Sequence, residues 1–336
     1  MVDLAHDPGP VIANRRREVI DEPGVVRQRV GRAEVLVGIA SWTDRTMTAP
    51  GVFYPPQVKK PEDRLRFYAS HFPLVEVDST YYAIPTVEYA ERWVERTPDD
   101  FTFNVKAHAL MTGHATETAR LPRVLREALP AKLADSPRLY AKDLPLELRR
   151  DVWTLFHDAL MPLKESGKIG AVLLQFAPWV RPNRQTPAMF ARAREWLGDL
   201  PIAIEFRHPS WLEPRLRERL WAELGANDMA YVVVDTPPGT TTSVPAVGAV
   251  TTPRLAMVRM HGRRSDMWGA REATVAEKYR YLYDRDELED WLSIIIGLAE
   301  QSERVHVVFN NCYANYAVTN GLEFGALLAE TRRARR

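Results

Sequence analysis

The stretch Ile202-Ala203-Ile204-Glu205-Phe206-Arg207-His208-Pro209 decides the fold, because two patterns are superposed in it. Ile202, Ile204 and Phe206 alternate with Ala203, Glu205 and Arg207, the period of a strand, and Pro209 ends the run. One face is fully apolar and the other carries a carboxylate and a guanidinium at the carboxyl end. The same arrangement recurs along the chain. Val75 and Val77 alternate with Glu76 and Asp78, and Phe101, Phe103 and Val105 with Thr102, Asn104 and Lys106. Leu174 and Phe176 flank Gln175, Val258 and Met260 alternate with Arg259 and His261, and Val307 and Phe309 precede Asn310.

Working outward, eight runs of strand character are found: 35–40, 74–78, 101–106, 170–176, 202–207, 231–235, 255–261 and 305–310. Segments of helical period lie between several of them. Leu65, Tyr68, Ala69 and Phe72 share a face, as do Val152, Leu155, Phe156, Ala159 and Leu160, and Leu288, Trp291, Leu292 and Ile295. Thr86 is placed to cap a helix over 87–96 closed by Pro98, and Gly225 to end a helix running from Trp211. Eight strands alternating with helices predict an α/β fold, a (β/α)8 TIM-barrel-like domain. Two connections depart from the ideal: a long insertion between strands 3 and 4, and an irregular connection after strand 6, where Pro237-Pro238-Gly239 opens a stretch without helical period. Residues 35–330 are expected to form one barrel domain. Residues 1–34, with Arg15-Arg16-Arg17 and few large apolar side chains, are expected to be a flexible or surface-lying arm.

Composition narrows the function classes. At 46% apolar and 26% charged the chain is an ordinary globular protein. Lys plus Arg number 45 against 44 Asp plus Glu, which gives no basic excess of the kind a dedicated nucleic-acid binder carries. No run approaches the ~20 apolar residues of a membrane span, and the opening residues lack the apolar core of a signal peptide. A single cysteine, Cys312, builds no disulfide framework, and without a visible base it reads as a small hydrophobe rather than a nucleophile. The expected setting is cytoplasmic, with a small-molecule substrate and no membrane partner.

In a barrel the apolar faces meet the helices, so the polar set points inward, toward the C-terminal mouth where barrel active sites are built. Glu76, Asp78, Lys106, Gln175, Glu205, Arg207, Asp235, Arg259, His261 and Asn310 would then ring one pocket. Glu205 with Lys106 or His261 is the expected acid/base set. Glu76, Asp78, Gln175, Arg207, His208, Asp235, Arg259 and Asn310 are expected to bind an anionic, hydroxyl-rich ligand, with Trp42 and Tyr82 stacking on it. The rival for these charges is a paired network that only fixes barrel geometry.

The motifs carry a resemblance. Gly38-Ile39-Ala40-Ser41-Trp42, Phe53-Tyr54-Pro55, Val75-Glu76-Val77-Asp78-Ser79-Thr80-Tyr81-Tyr82, Leu173-Leu174-Gln175-Phe176-Ala177-Pro178, Glu205-Phe206-Arg207-His208-Pro209-Ser210-Trp211, Arg259-Met260-His261-Gly262 and Phe309-Asn310-Asn311 occur in order over about residues 35–325. In this the chain resembles the DUF72 family, the YecE-like TIM-barrel proteins, which have no agreed activity. It departs from the family pattern at Asp78, where Asn is commoner. It departs again at Thr112-Gly113-His114-Ala115, where the family's Thr-His-Glu would place an acidic residue. The resemblance implies the barrel and the recurring positions but no reaction.

Three functions follow as expectations. The first is an isomerase, lyase or hydrolase acting by acid/base chemistry on a sugar-like or phosphorylated compound. The second is a metal-dependent phosphodiesterase or nuclease, with Mn²⁺, Mg²⁺ or Zn²⁺ held by Glu76, Asp78, Glu205, Asp235 and His261, and Arg263 and Arg264 on a basic rim. The third is a ligand-binding barrel without chemistry. No cofactor is called for by any motif.

Overall fold

The structure, a computed structural model, describes residues 26–240, 243–268 and 274–334. The strands are β1 (Arg27–Val30), β2 (Ala33–Ala40), β3 (Leu74–Val77), β4 (Thr102–Lys106), β5 (Ala115–Glu117), β6 (Arg138–Tyr140), β7 (Ile169–Gln175), β8 (Ile202–Glu205), β9 (Met229–Asp235), β10 (Ala256–Met260) and β11 (Arg304–Phe309). The main sheet has the order β1-β2-β11-β10-β9-β8-β7-β4-β3, and a further β2–β3 pairing closes it. Helices lie between all but one consecutive pair of its eight parallel strands (β2, β3, β4 and β7 to β11), so the fold is the expected (β/α)8 barrel.

Gly38 shows what closure requires. A Cβ at this position of β2 would lie 2.1 Å from the Leu74 carbonyl oxygen of β3, so only glycine admits that approach. Nearby, Tyr68 of the helix Pro61–Ala69 bridges the same two strands. Its hydroxyl accepts from the Ile39 N–H at 3.0 Å and donates to the Leu74 carbonyl at 2.7 Å.

The insertion between the third and fourth barrel strands holds the two-stranded antiparallel sheet β5–β6 and the amphipathic helix Leu146–Ala159, which buries Leu148, Val152, Trp153, Phe156 and Ala159. After β9 no helix forms among the described residues before β10, as the Pro-rich sequence implies. The helix Arg285–Ala299 starts on a capping box in which Asp284 and Glu287 each accept the other's backbone N–H.

Two boundaries differ from expectation. β1 pairs antiparallel with β2, so residues 27–30 of the segment read as an arm form a strand; residues 1–25, including Arg15, Arg16 and Arg17, lie outside the described residues. Gly225 does not end its helix, which runs Pro214–Ala226, and Trp211 belongs to the preceding 3₁₀ turn Pro209–Leu212. The reversal is taken instead by Asp228 at φ 49°, whose short polar side chain is tolerated in the left-handed region.

The described chain forms two compact units, residues 76–231 on one hand and those of 1–75 and 232–336 on the other. Among the described residues no helix is long and apolar enough to cross a membrane.

Candidate active site

In the unit of residues 76–231, the cluster is built at the carboxyl ends of β3, β4, β7 and β8. Gln175 and Glu205 are direct register partners on adjacent parallel strands, so their side chains leave the sheet on the same face. Gln175 Nε2 donates to Glu205 Oε1 at 2.7 Å, and Arg207 Nη1 donates to the same oxygen at 3.2 Å. Glu205 is 0% exposed. A buried carboxylate is tolerated only when charge and hydrogen bonds compensate it, and these two donors do so. The second pair lies across β3 and β4, where Lys106 Nζ stands 3.3 Å from Asp78 Oδ1 and 5.0 Å from the centre of the Tyr81 ring. Thr80 locks the turn beneath, its hydroxyl reaching both the Val77 and Lys106 carbonyls. Glu76 is fully buried one residue before the end of β3.

His114 completes this cluster from the insertion. Its ring meets Tyr81 edge-on at 5.2 Å and Trp179 at 5.6 Å. Burial, then the positive charges of Lys106 and Arg207, push its pKa down to about 4, so the imidazole is neutral at pH 7. Trp179 is 59% exposed, with its indole N–H on the Gly113 carbonyl at 3.2 Å. Tyr82 is 48% exposed, edge-on to Tyr81 and under the Arg120 guanidinium. His208 turns away into a local role: its Nδ1 accepts the Ser210 N–H at 3.2 Å, capping the turn Pro209–Leu212. A cavity of about 180 Å³ in this unit is lined by Leu110, Trp153, Leu174 and Phe176. It belongs to the apolar, helix-facing side of β7, opposite Gln175.

The other unit carries a second cluster. Asp235 ends β9 buried, gripped by Arg263 Nε at 3.1 and 2.9 Å. Burial raises the Asp235 carboxyl above its usual range, while Tyr283 and Arg263 oppose the rise. Arg263 Nη1 also donates to Glu287 at 3.2 Å, and the Tyr281 hydroxyl to the same oxygen at 2.5 Å. The Tyr283 hydroxyl accepts the Gly262 N–H at 2.7 Å. Gly262 is required there: its φ is 86°, and a Cβ would lie 2.7 Å from Tyr281 Cβ.

Next to this network His261 is fully buried, and Asn310 Nδ2 meets its Nδ1 at 2.8 Å. An amide nitrogen only donates, so Nδ1 carries the lone pair and Nε2 the proton, on a ring flanked by Trp268 and Tyr279. Asn311 and Asn320 hold the backbone of Tyr281 and Tyr283. Arg259 is fully buried. Trp42 is buried too, its carbonyl accepting the Tyr54 hydroxyl at 2.5 Å. Cys312 donates its thiol to the Ala40 carbonyl at 2.8 Å.

The ten polar residues expected at the mouth therefore divide between the units: Glu76, Asp78, Lys106, Gln175, Glu205 and Arg207 in one, Asp235, Arg259, His261 and Asn310 in the other. Among the described residues no three His, Cys, Asp or Glu side chains converge as a metal-holding group. Arg263 and Arg264, expected on a phosphate-binding rim, are engaged by Asp235, Glu287 and Asp266. Sequence reading passed over Tyr281 and Tyr283, which come from a connection without periodic pattern, and Glu287, which stands in the first turn of the helix Arg285–Ala299.

Comparison with known proteins gives a consistent result. The family model for protein of unknown function DUF72 matches residues 36–336. UPF0759 protein YunF of Bacillus subtilis is 31% identical over 298 residues, covering 88% of this chain and 94% of that protein. UPF0759 protein YecE of Escherichia coli is 27% identical over 177 residues, 53% of this chain and 50% of that protein. Among solved structures, a DUF72 family protein from Enterococcus faecalis superposes with a TM-score of 0.70 at 28% identity, covering 88% of this chain and 95% of that one. One from Thermotoga maritima gives 0.68 at 27% identity, covering 88% and 99%.

Proposed function

The chain belongs to the DUF72 family, and from that premise we propose that it is an enzyme performing acid/base chemistry on a small, anionic, hydroxyl-rich substrate. The carrying observation is the Glu205 carboxylate, fully buried yet held by Gln175 and Arg207 in the same cluster as the Lys106–Asp78 pair. Fixed donors and charges held out of water act on a ligand's charge far more strongly than mobile ones in solvent. In this proposal Arg207 and Lys106 receive the anionic group, Gln175 and Asp78 receive hydroxyls, and Glu205 sets the orientation of Arg207 while acting with Lys106 on protons. Trp179 and Tyr82 offer exposed rings at the edge of the cluster. His261, with its proton on Nε2, would donate rather than accept. The setting proposed is a soluble one with a small molecule as partner.

The test is thermal denaturation of the full chain against hydroxylated carboxylates and sugar phosphates, on the natural protein and on Glu205→Gln and Lys106→Met. A ligand at a hundred times its Kd stabilises by about 2.7 kcal/mol, a shift of some degrees. Saturable stabilisation that disappears in Lys106→Met supports the proposal, and a flat panel refutes it. Metal content of chelator-free protein runs alongside. Stoichiometric Mn or Zn lost in Glu205→Ala would replace the proposal with metal-assisted phosphoester chemistry. Binding that survives in Glu205→Gln with no turnover in either protein would leave a ligand-binding barrel.

A further inference from the structure

The cavity of about 180 Å³ on the helix-facing side of β7 plays no part in the chemistry proposed above. Leu174 and Phe176 of β7 line it, with Trp153 of the helix Leu146–Ala159 and Leu144 just before that helix. The helix Thr186–Leu197 adds Met189 and Trp196. Protein interiors hold few voids larger than a water molecule, and walls that face empty space forfeit their contacts. Water fills such a space poorly, because a buried water needs about two to four polar partners and these walls are apolar side chains. An apolar cavity of about 150 Å³ stays dry and takes up benzene. This one therefore has room for a six-membered ring.

Two guanidiniums line the same cavity, Arg149 half-buried and Arg192 exposed. Arg149 is held in place, its Nε donating to the Leu144 carbonyl at 2.8 Å and its Nη2 to the Lys142 carbonyl at 3.0 Å. Carbonyl dipoles orient a guanidinium without neutralising its charge. Arg192 lies over the Trp196 ring, 5.6 Å from its centre, and Trp196 meets Trp153 edge-on at 5.5 Å. Neither arginine has a carboxylate partner among the described residues. Lys106, Arg207, Arg263 and Arg264 each have one.

We infer that this cavity is a second ligand site that takes a small aromatic monocarboxylate, its ring among Phe176, Trp153 and Trp196 and its carboxylate at the rim on Arg149 and Arg192. A ring suits these walls, since aromatic faces and edges attract one another and the Met189 thioether packs well on a π-system. It also has less internal freedom to lose than an aliphatic chain of the same volume. The planar carboxylate matches the guanidinium fork, and Arg149 is already oriented before the ligand arrives. This site and the mouth cluster share the strand β7 but no side chain, because Leu174 and Phe176 face away from Gln175.

The experiment uses the full chain and 4-fluorophenylacetate, followed by ¹⁹F NMR and calorimetry. One site with a Kd of about 1 mM or tighter is expected, the level that one buried ring and one paired carboxylate support. The neutral 4-fluorophenylacetamide should bind about tenfold more weakly. Ala193 also lines the cavity, 5% exposed, and Ala193→Leu should abolish binding by filling it. Arg192→Met changes an exposed position, so the fold is kept. It should weaken the carboxylate about threefold and leave the amide unchanged. Lys106→Met should bind 4-fluorophenylacetate as the natural protein does. Absence of saturable binding up to about 10 mM overturns the inference. So does binding that persists in a folded Ala193→Leu, or binding lost in Lys106→Met, which would move the ligand to the mouth cluster. If Ala193→Leu does not fold, equal affinity for the carboxylate and the amide, or an Arg192→Met without effect, is decisive against it. Octanoate or phenyl phosphate binding tenfold tighter than the probe overturns the assigned ligand class.

Discussion

His306 makes the acid stability of the protein predictable. It sits in β11 with no exposure, and its register partners on the two neighbouring strands are Met257 and Leu36. Burial, and secondarily Arg304, push its pKa down from 6.5 to about 3. As pH falls below 6.5 the unfolded chain takes up a proton at this position that the folded chain refuses until about pH 3. The unfolded state binds more protons throughout that window, so stability is lost as pH drops. Between pH 7.5 and pH 5 the loss amounts to about 2 kcal/mol from this residue alone. For a chain of 336 residues that corresponds to about 3 °C in melting temperature. The assay compares the natural protein with His306→Leu at both pH values. Other groups titrate in both proteins and cancel in the double difference. The variant should lose about 2 kcal/mol less than the natural protein between the two pH values. Equal losses would refute the burial argument for His306.

Three further outcomes follow from individual contacts. Gly38→Ala forces its new methyl to within 2.1 Å of the Leu74 carbonyl, which backbone pairing cannot move aside, and should lower stability by about 3 kcal/mol or more in a denaturant titration. Tyr283→Phe removes the acceptor of the Gly262 N–H and a hydrogen bond to Asp235, costing about 1–3 kcal/mol by the same titration. Lys168 donates to the Val94 and Thr97 carbonyls at 2.8 and 2.9 Å, closing the end of the helix Val87–Glu95. Lys168→Met should therefore cost about 1–2 kcal/mol and speed amide exchange in its last turn.

The barrel was legible because its strands combine two patterns that no other element shares: an apolar face for the helices and polar residues gathered at the carboxyl ends. That alternation puts Gln175, Glu205, Asp78 and Lys106 among the inward-facing residues, but which of them pair depends on the register between strands far apart in sequence, which alternation does not fix. β1 was not legible. Arg27-Gln28-Arg29-Val30 has an edge strand's charge, and only pairing with β2 makes it a strand. Trp179, Tyr281 and Tyr283 escaped for a related reason. They lie in connections whose course is fixed by tertiary contacts, so spacing carries no sign of the groups they approach.

The remaining choice is between a polar network that serves the fold and one that serves a ligand, and energetics separates them. Removing one partner of a buried ion pair strands the other charge and costs about 3–5 kcal/mol, whereas replacing the whole network by apolar groups of similar volume is often neutral or stabilising by about 1–4 kcal/mol. Glu205 is fully buried, and both Gln175 and Arg207 converge on its Oε1. Glu205→Leu alone should therefore destabilise the protein, since Arg207 and Gln175 lose their acceptor. The triple variant Gln175→Met, Glu205→Leu and Arg207→Met should recover that loss, because Leu174, Phe176, Ile204 and Phe206 already supply the helix-facing core of these strands. It should also lose all saturable stabilisation by hydroxylated carboxylates and sugar phosphates. Recovery of stability without binding means that the carboxylate is kept at the fold's expense, for the ligand. A triple variant as unstable as the single one means that the barrel needs the network for its own geometry, and the proposed active site loses its main support.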